Sequence, residues 1–594
     1  MKELRRVVSG SAVTINAVER EEDLEVFRGF LYENQNWLAC DSETTGLNIY
    51  SKEHNLRVVQ FGNTTEAWVI PVERGEPFRQ TVRDALKQTN YLIFQNASYD
   101  IQVFDRHLGV RMEDLWPKVR DTRILAHLVD PRGKDEGGIG HSLEDLTRNY
   151  IDAEIADSVK TLMTDLARAH KTTKSEVWKL VEFDDPHYQL YSGMDTILAA
   201  RLALKLRPLV PKESVTLIDY EHRLAAVCAY MERTGFLLDV DYSAELREKL
   251  IDAELVYEWQ AKQMGCENVN STEQVADVLE SRGVRIPERT PSGRRKVDKQ
   301  LLEKLIADGD PFAEAVYEAK KARKWRTTWV DGFLNGVDAD GRCHASINPL
   351  RARTARMSIT GIPAQTLPAG DRLIRRCFVA DEGHRMVSVD YQTQELRVLA
   401  ALSGDRTMIR AFKTGADLHQ LTADAAGVDR KVGKTTNFAY VYGSGPRNIA
   451  EQCGISLDTA RAVVAGFEQS YPQVKQLSQS LQKQARTYGY VTTDFGRRLP
   501  VDPERAYSAL NYMVQSTSRD ITAQGLLRLH EAGFTPYLRL PIHDEVLASV
   551  PADKTEWGAT RIGELMATTF KGVHIGTDPE VGGRSWGSLY GSDY

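Results

Sequence analysis

Short apolar runs bounded by polar turns set the pattern of the first two hundred residues. Trp37 to Cys40 runs apolar into Asp41-Ser42-Glu43-Thr44-Thr45-Gly46, and two more strand-like runs follow, Leu56 to Phe61 and Ala67 to Pro71. Together they predict a β-meander in which Asp41 and Glu43, two apart on one strand, share a face. Tyr91 to Phe94 predicts a short buried strand leading to Asn96-Ala97-Ser98-Tyr99-Asp100 at the start of a helix. A helical pattern through Leu204 sets Tyr191 and Asp195 one turn apart. After Arg207-Pro208-Leu209-Val210-Pro211, the stretch Tyr220 to Gly235 predicts an amphipathic helix stopped by glycine, and Asp241 to Met264 a long charged one.

In the C-terminal half, Met386 to Val389 predicts a strand ending in Asp390-Tyr391, and Gln394 to Leu399 continues as a helix. Tyr537 to Ile542 and Val546 to Val550 predict strands joined at His543-Asp544-Glu545, a hairpin presenting Asp544 at its tip. Between them lies RKVGKTTNFAYVYG, residues 430–443, where Arg430, Lys434, Phe438 and Tyr442 recur every four positions. Each step drifts only about 40°, so the four share one helical face over about 18 Å. Two cations followed by two rings fit a molecule with a phosphate chain at one end and a base at the other, such as a nucleoside triphosphate. The alternative is a plain amphipathic helix with a buried aromatic stripe, and metal-binding carboxylates elsewhere decide between the two. Gly433-Lys434-Thr435 is not a P-loop, because Val428 stands where that loop needs glycine.

The length of 594 residues and 42% hydrophobic content allow three or four domains. With 76 basic and 83 acidic residues, net −7, any hold on nucleic acid has to come from local patches. Two candidates are the clusters at 289–299 and 320–326, which are either solvated or grip a duplex backbone. Six cysteines without a CxxC pair predict free thiols in a reducing compartment. Without an apolar leader or a long apolar run, the expectation is a soluble cytoplasmic protein with no membrane association.

Taken in order, D-x-E-T, N-x-x-Y-D and Y-x-x-x-D, over roughly residues 25–205, resemble the three motifs of the DEDDy family of 3′→5′ exonucleases. The resemblance implies that Asp41, Glu43, Asp100 and Asp195 bind two metal ions and that Tyr191 orients the attacking water. Downstream, D-Y-x-x-x-E-L-R from Asp390, R-x3-K-x3-F-x3-Y-G from Arg430 and H-D-E from His543 resemble motifs A, B and C of family A DNA polymerases, the DNA polymerase I family. Thr354-Ala355-Arg356-Met357-Ser358, Asp417-Leu418-His419, Tyr471-Pro472, Gly496-Arg497-Arg498 and Asn511-x3-Gln515 support it, so the likeness spans nearly the whole chain.

This resemblance implies that Asp390 and Asp544 hold two metal ions, Mg2+ with Mn2+ as a substitute, at the polymerase site, as the four acids do at the exonuclease site. Lys434, Arg430 and His419 would offset phosphate charge, Lys434 also acting as the proton donor to pyrophosphate. Phe438 would pack against the incoming sugar and base, Tyr442 would stack where the template base must enter, Glu395 would exclude a 2′-hydroxyl, and Tyr391 would belong to the nucleotide site. Arg356, Asn511, Gln515 and His543 would contact DNA. Three positions depart from the family: Gln392-Thr393-Gln394, Ala355 in place of the glycine of T-G-R, and Ser516 in place of the glycine after Gln515.

The implied fold is α/β: a ribonuclease H-like exonuclease domain over 1–210 (core about 25–205), then a right-hand polymerase domain over 211–594. Its helical thumb would cover about 211–345, the antiparallel-sheet palm 346–405 with 500–594, and the helical fingers 406–499. The expected partners are primer–template DNA and dNTPs, the expected state a monomer without a 5′-nuclease segment or a thioredoxin-type subunit, and the setting the host cytoplasm if a phage encodes it. The alternative is a 3′→5′ exonuclease whose C-terminal half only binds nucleic acid.

Overall fold

The computed structural model describes residues 1–368 and 370–594. Its N-terminal part is built on a mixed sheet of β1 (Lys2–Val8), β2 (Ser11–Ala17), β3 (Trp37–Thr44), β4 (Leu56–Gly62), β5 (Glu66–Ile70), β6 (Tyr91–Phe94) and β7 (Val119–Asp121), in the order β1-β2-β5-β4-β3-β6-β7. β3, β4 and β5 are antiparallel neighbours, the expected meander. β6 and β7 continue the sheet in parallel beyond β3. The hairpin β1–β2 was not expected within this core. It joins by pairing β2 parallel to β5, and β1, largely exposed at the sheet edge, carries charges that mask it as a strand.

The C-terminal part centres on a four-stranded antiparallel sheet in which His384–Tyr391 lies between Glu545–Pro551 and Thr577–Val581, with Leu538–Ile542 at the edge. A run of helices from Arg406–Thr414 to Pro472–Tyr488 leaves this sheet, and the 23-residue helix Ala509–Glu531 returns across it. Helices also dominate between residues 216 and 336.

The helix Thr216–Thr234 differs from its expected amphipathic form. Leu217, Ile218, Ala225, Ala226, Ala229 and Tyr230 pack into the core of the N-terminal sheet. Leu224, Val227, Cys228 and Met231 pack into the C-terminal core. A helix apolar on both sides is buried by two bodies at once, and this one is the spine they share.

Glu221 on that spine is fully buried with Arg497, Arg519 and Asp520. Arg519 reaches Glu221 at 2.7 Å and Asp520 at 2.8 Å, and Arg497 reaches Glu221 at 2.5 Å and Asp520 at 2.8 Å. Burial works to raise the Glu221 carboxyl, and the two guanidiniums override it, holding the group below the ordinary carboxylate range. Two cations and two anions balance, so removing one partner leaves buried charge uncompensated. Glu221→Ala is expected to cost about 3–5 kcal/mol, read as an earlier unfolding transition in urea. A shift under about 1 kcal/mol would show that the quartet behaves like a surface pair.

Candidate active sites

β3 brings Asp41 and Glu43 to one face, and the helix Pro186–Leu206, packed across the sheet, brings Asp195 to meet them. One carboxylate oxygen from each lies within 4.8 Å of the others, the one such group of three among the described residues. Asp100, on the helix Ala97–Leu108, joins this charge cluster from outside that mutual range. Ser42 Oγ donates to its Oδ1 at 2.6 Å. Gln60 Nε2 donates to Asp41 at 2.6 Å and Glu43 at 3.2 Å.

Burial pushes the Asp41 carboxyl up to about 7. Burial and neighbouring acids drive Glu43, Asp100 and Asp195 well above the carboxylate range. Acids crowded this way keep their protons unless cations offset them, and an all-oxygen donor set suits hard divalent ions. Tyr191, one turn before Asp195, has its phenol held protonated by the Asp195 charge and by burial. Trp178 packs edge-on against Tyr191 with ring centres 5.5 Å apart, in a cleft of about 560 Å³.

At the second site Asp390 stands on the sheet opposite Glu545 on one neighbouring strand and Asp578 on the other. Tyr391 N donates to the Asp544 carbonyl at 3.1 Å, tying the hairpin tip to this strand. The turn is His543-Asp544, with His543 at φ 57°, the positive φ that a tight hairpin turn requires. Partial burial and the charges of Asp544, Glu545 and Asp578 push Asp390 up to about 8. Glu545 is held by Ser388 Oγ at 2.6 Å.

A pocket of about 230 Å³ beside Asp544 is walled by Arg356, Glu395, Phe438, Tyr442, Gln515 and Arg519, among others. Tyr442 Oη donates to Glu395 at 2.9 Å, and Arg356 lies 3.6 Å from the other Glu395 oxygen. Helix Arg430–Val441 buries Val432, Gly433, Thr436, Asn437, Ala439 and Val441, so Arg430, Lys434, Phe438 and Tyr442 lie on its opposite face. Of the two rings Tyr442 is exposed, whereas Phe438 is half-buried with one side against the core. His419 joins it from the helix Leu418–Ala426, its ring centre 5.8 Å from that of Phe438. Burial and the positive charges of Arg430 and Lys434 hold the His419 imidazole below its ordinary pKa.

A family profile described as DNA polymerase family A matches residues 240–588. The chain belongs to the family A DNA polymerases. A second profile, described as 3′-5′ exonuclease, matches residues 15–211, so the polymerase carries a 3′→5′ exonuclease domain. It is 55% identical to the DNA polymerase of Mycobacterium phage D29 and 56% identical to that of Mycobacterium phage L5, each over the whole of both chains. It is 30% identical to DNA polymerase I of Chloroflexus aurantiacus, over 82% of this chain and 54% of that one. Its fold resembles the solved POL domain of Pol1 from M. smegmatis in complex with DNA primer-template and dNTP, with a TM-score of 0.76 at 22% identity, covering 96% of this chain and 99% of that one.

The structure gives several of the residues named from the sequence partners within the chain. The Tyr391 side chain is buried, its hydroxyl donating to the Met566 carbonyl at 2.8 Å, which leaves only the backbone of this residue to face the site. Arg430 is engaged with Asp417 at 2.5 Å, whereas Lys434 has no ion pair among the described residues. Asn511 is buried and accepts from Gln515 Nε2 at 3.1 Å. The basic clusters are partly spent internally: Arg295 on Glu273, Asp277 and Glu280, Lys296 on Glu288 and Asp298, and Arg326 on Glu254 and Asp331.

Supporting residues escaped the sequence reading because only tertiary pairing exposes them. Gln60 is the cross-strand partner of Asp41. Asn437 donates to His419 Nδ1 at 2.9 Å while its own oxygen accepts from Thr422 at 2.7 Å.

Gly433 lies where the two helices touch: a Cβ there would sit 2.3 Å from the His419 carbonyl oxygen. Gly433→Ala has to push the helices apart, and is expected to slow nucleotide incorporation at least tenfold while excision of 3′ ends stays within twofold of wild type. Equal loss of both activities would instead point to global unfolding.

Proposed function

We propose that the polymerase extends a primer 3′-hydroxyl with dNMPs under template direction, and that its N-terminal domain excises 3′-terminal nucleotides for proofreading. The observation that carries this is the convergence of Glu395, Phe438, Tyr442, Gln515 and Arg356 on one pocket beside Asp544, in a chain with a separate acidic cluster at Asp41, Glu43 and Asp195. The M. smegmatis relative of like fold was solved with primer–template and dNTP, and we take these as the ligands here, with the chain acting as a monomer in the host cytoplasm. Residues 1–210 are read as exonuclease, about 211–345 as thumb, 346–405 with 500–594 as palm and 406–499 as fingers.

Asp41, Glu43, Asp100 and Asp195 would hold two Mg2+ ions at one site, and Asp390 and Asp544 two at the other, with Mn2+ able to substitute. Bound there, such ions lower the pKa of a coordinated water or hydroxyl and offset charge on phosphate oxygens. The side chains do the rest. Tyr191 orients the attacking water, and Ser42 and Gln60 keep three of the acids aimed. Lys434, unpaired and exposed, with His419 beside it, meets the triphosphate and stabilises charge on the departing pyrophosphate. Arg430 joins them by leaving Asp417. Phe438 packs against the incoming sugar and base, Tyr442 stacks where the template base enters, and Glu395, fixed between Tyr442 and Arg356, fills the space a 2′-hydroxyl would need. Arg356, Asn511, Gln515 and His543 lie toward the primer terminus.

Asp41→Ala combined with Glu43→Ala is expected to abolish release of 3′-terminal nucleotides from a labelled primer while extension with four dNTPs and magnesium continues at near wild-type rate. Loss of both activities in a folded variant would overturn the two-site reading. Lys434→Ala is expected to slow single-turnover incorporation about a hundredfold, equivalent to about 3 kcal/mol in the transition state, with DNA affinity and excision unchanged. A slowing of less than about threefold, well under 1 kcal/mol, would make Lys434 an ordinary surface charge.

A further inference from the structure

A chain of hydrogen bonds between buried side chains ends on His419. Tyr471, Thr422 and Asn437 are fully buried, and His419 is nearly so. His419 and Thr422 stand one turn apart on the helix Leu418–Ala426, Asn437 is on the helix Arg430–Val441, and Tyr471 is at the corner between the helices Leu457–Ser470 and Pro472–Tyr488. Tyr471 Oη lies 3.1 Å from Thr422 Oγ1, Thr422 Oγ1 lies 2.7 Å from Asn437 Oδ1, and Asn437 Nδ2 lies 2.9 Å from His419 Nδ1.

The chemistry of the donors gives this chain one direction. An amide nitrogen only donates and an amide oxygen only accepts. The Asn437 amide is oriented by the Leu418 carbonyl, which lies 3.5 Å from Nδ2 and would repel Oδ1 if the amide were turned over. Oδ1 then takes the single Thr422 hydroxyl proton, Tyr471 donates to Thr422, and Nδ2 donates to His419 Nδ1. Because Nδ1 accepts, a neutral imidazole has to carry its proton on Nε2. Nε2 itself bonds nothing among the described residues. Burial and the charges of Arg430 and Lys434 oppose a second proton on the ring, and only Asp417 favours one. Tyr471, the titratable group on the third element packed here, has its phenol held protonated by burial. Joining two helices does not require this network. Gly433 against the His419 carbonyl already sets their approach, and apolar side chains would hold it without desolvating polar groups.

We propose that Asn437 is a positioning residue that fixes His419 as the neutral Nε2–H tautomer, so that the ring presents one N–H to a phosphate oxygen of the incoming nucleotide. Lys434 brings charge to the triphosphate, and His419 brings direction. In the other tautomer a nitrogen lone pair would face the phosphate oxygen and repel it. Thr422 and Tyr471 set Asn437 in turn, so the helix Arg430–Val441 aims a ring carried by its neighbour.

This inference rests on the reading of His419 as a triphosphate contact, and the test separates the two. In protein isotopically labelled at the histidine ring nitrogens, with His419→Gln identifying the resonance, magnetic resonance is expected to show His419 unprotonated at Nδ1 and protonated at Nε2 near about pH 8. A protonated Nδ1 in the wild type would overturn the proposal, whether or not any variant folds. Asn437→Asp puts an acceptor of the same shape where Nδ2 donates, so Nδ1 keeps a proton and the carboxylate favours the imidazolium. Below the raised pKa the ring still offers Nε2–H; above it the remaining proton sits on Nδ1 and the N–H toward phosphate is lost. The half-saturating dNTP concentration in single-turnover incorporation, taken relative to wild type, is therefore expected to rise about tenfold in this variant from about pH 6.5 to about pH 9. The change falls on half-saturation more than on maximal rate, and unchanged excision of 3′ ends reports folding. In a His419→Ala background the same substitution is expected to add no such rise. A flat profile in Asn437→Asp, or a rise that persists without His419, would overturn the positioning role. Wild-type half-saturation in His419→Ala would instead overturn the triphosphate reading of His419, whatever its tautomer.

Discussion

The quartet of Glu221, Arg497, Arg519 and Asp520 is the constraint on which the polymerase half depends. It joins the spine helix Thr216–Thr234, the segment after the helix Pro472–Tyr488, and the helix Ala509–Glu531. Arg519 also donates to the Pro349 carbonyl at 2.7 Å, reaching the strand-and-loop segment that ends at Arg356. Four separated stretches therefore meet at one buried charge balance. Its desolvation cost is met only when all four groups are in place, so the wall of the nucleotide pocket that includes Gln515 and Arg519 forms with it or not at all.

The two acidic sites follow different physical rules. At the proposed exonuclease site three carboxylates lie within 4.8 Å of one another, a strongly self-repelling arrangement that one strand and one helix force together. At the proposed polymerase site Asp390 and Asp544 sit on a sheet and at a hairpin tip, and no third acid closes a comparable cluster among the described residues. The first is largely assembled by the protein. The second leaves room for a substrate to supply oxygens of its own.

Motif spacing in the sequence was enough for the acidic residues, because a strand alternates every two residues and a helix turns every four. Asp41 with Glu43, Tyr191 with Asp195, and the stripe from Arg430 to Tyr442 were all legible on that basis. Strand alternation also turns the Tyr391 side chain, next to Asp390, into the core. Gln60, Asn437 and the quartet depend on pairing between residues far apart in the chain, and no local pattern encodes them. For the basic clusters the sequence left open a solvated face or a grip on a duplex, and their internal pairing, as of Arg326 with Glu254, comes from tertiary contact. Ala355, a departure from the family glycine, adopts φ 63°, a left-handed backbone that glycine takes freely and alanine at a cost of about 1–2 kcal/mol. The surrounding structure, with Ala355 fully buried, imposes it.

The shared spine helix, packed into both cores, has a consequence for how errors are sorted. Two catalytic bodies clamped on one helix, with Glu232, His127 and Arg353 bridging the boundary, cannot swing toward each other to exchange a strand end. The moving part then has to be the DNA, and the energy that decides its destination is that of unpairing the terminal bases. On the reading proposed above, whatever loosens the terminal bases, a mismatch included, feeds the same excision route.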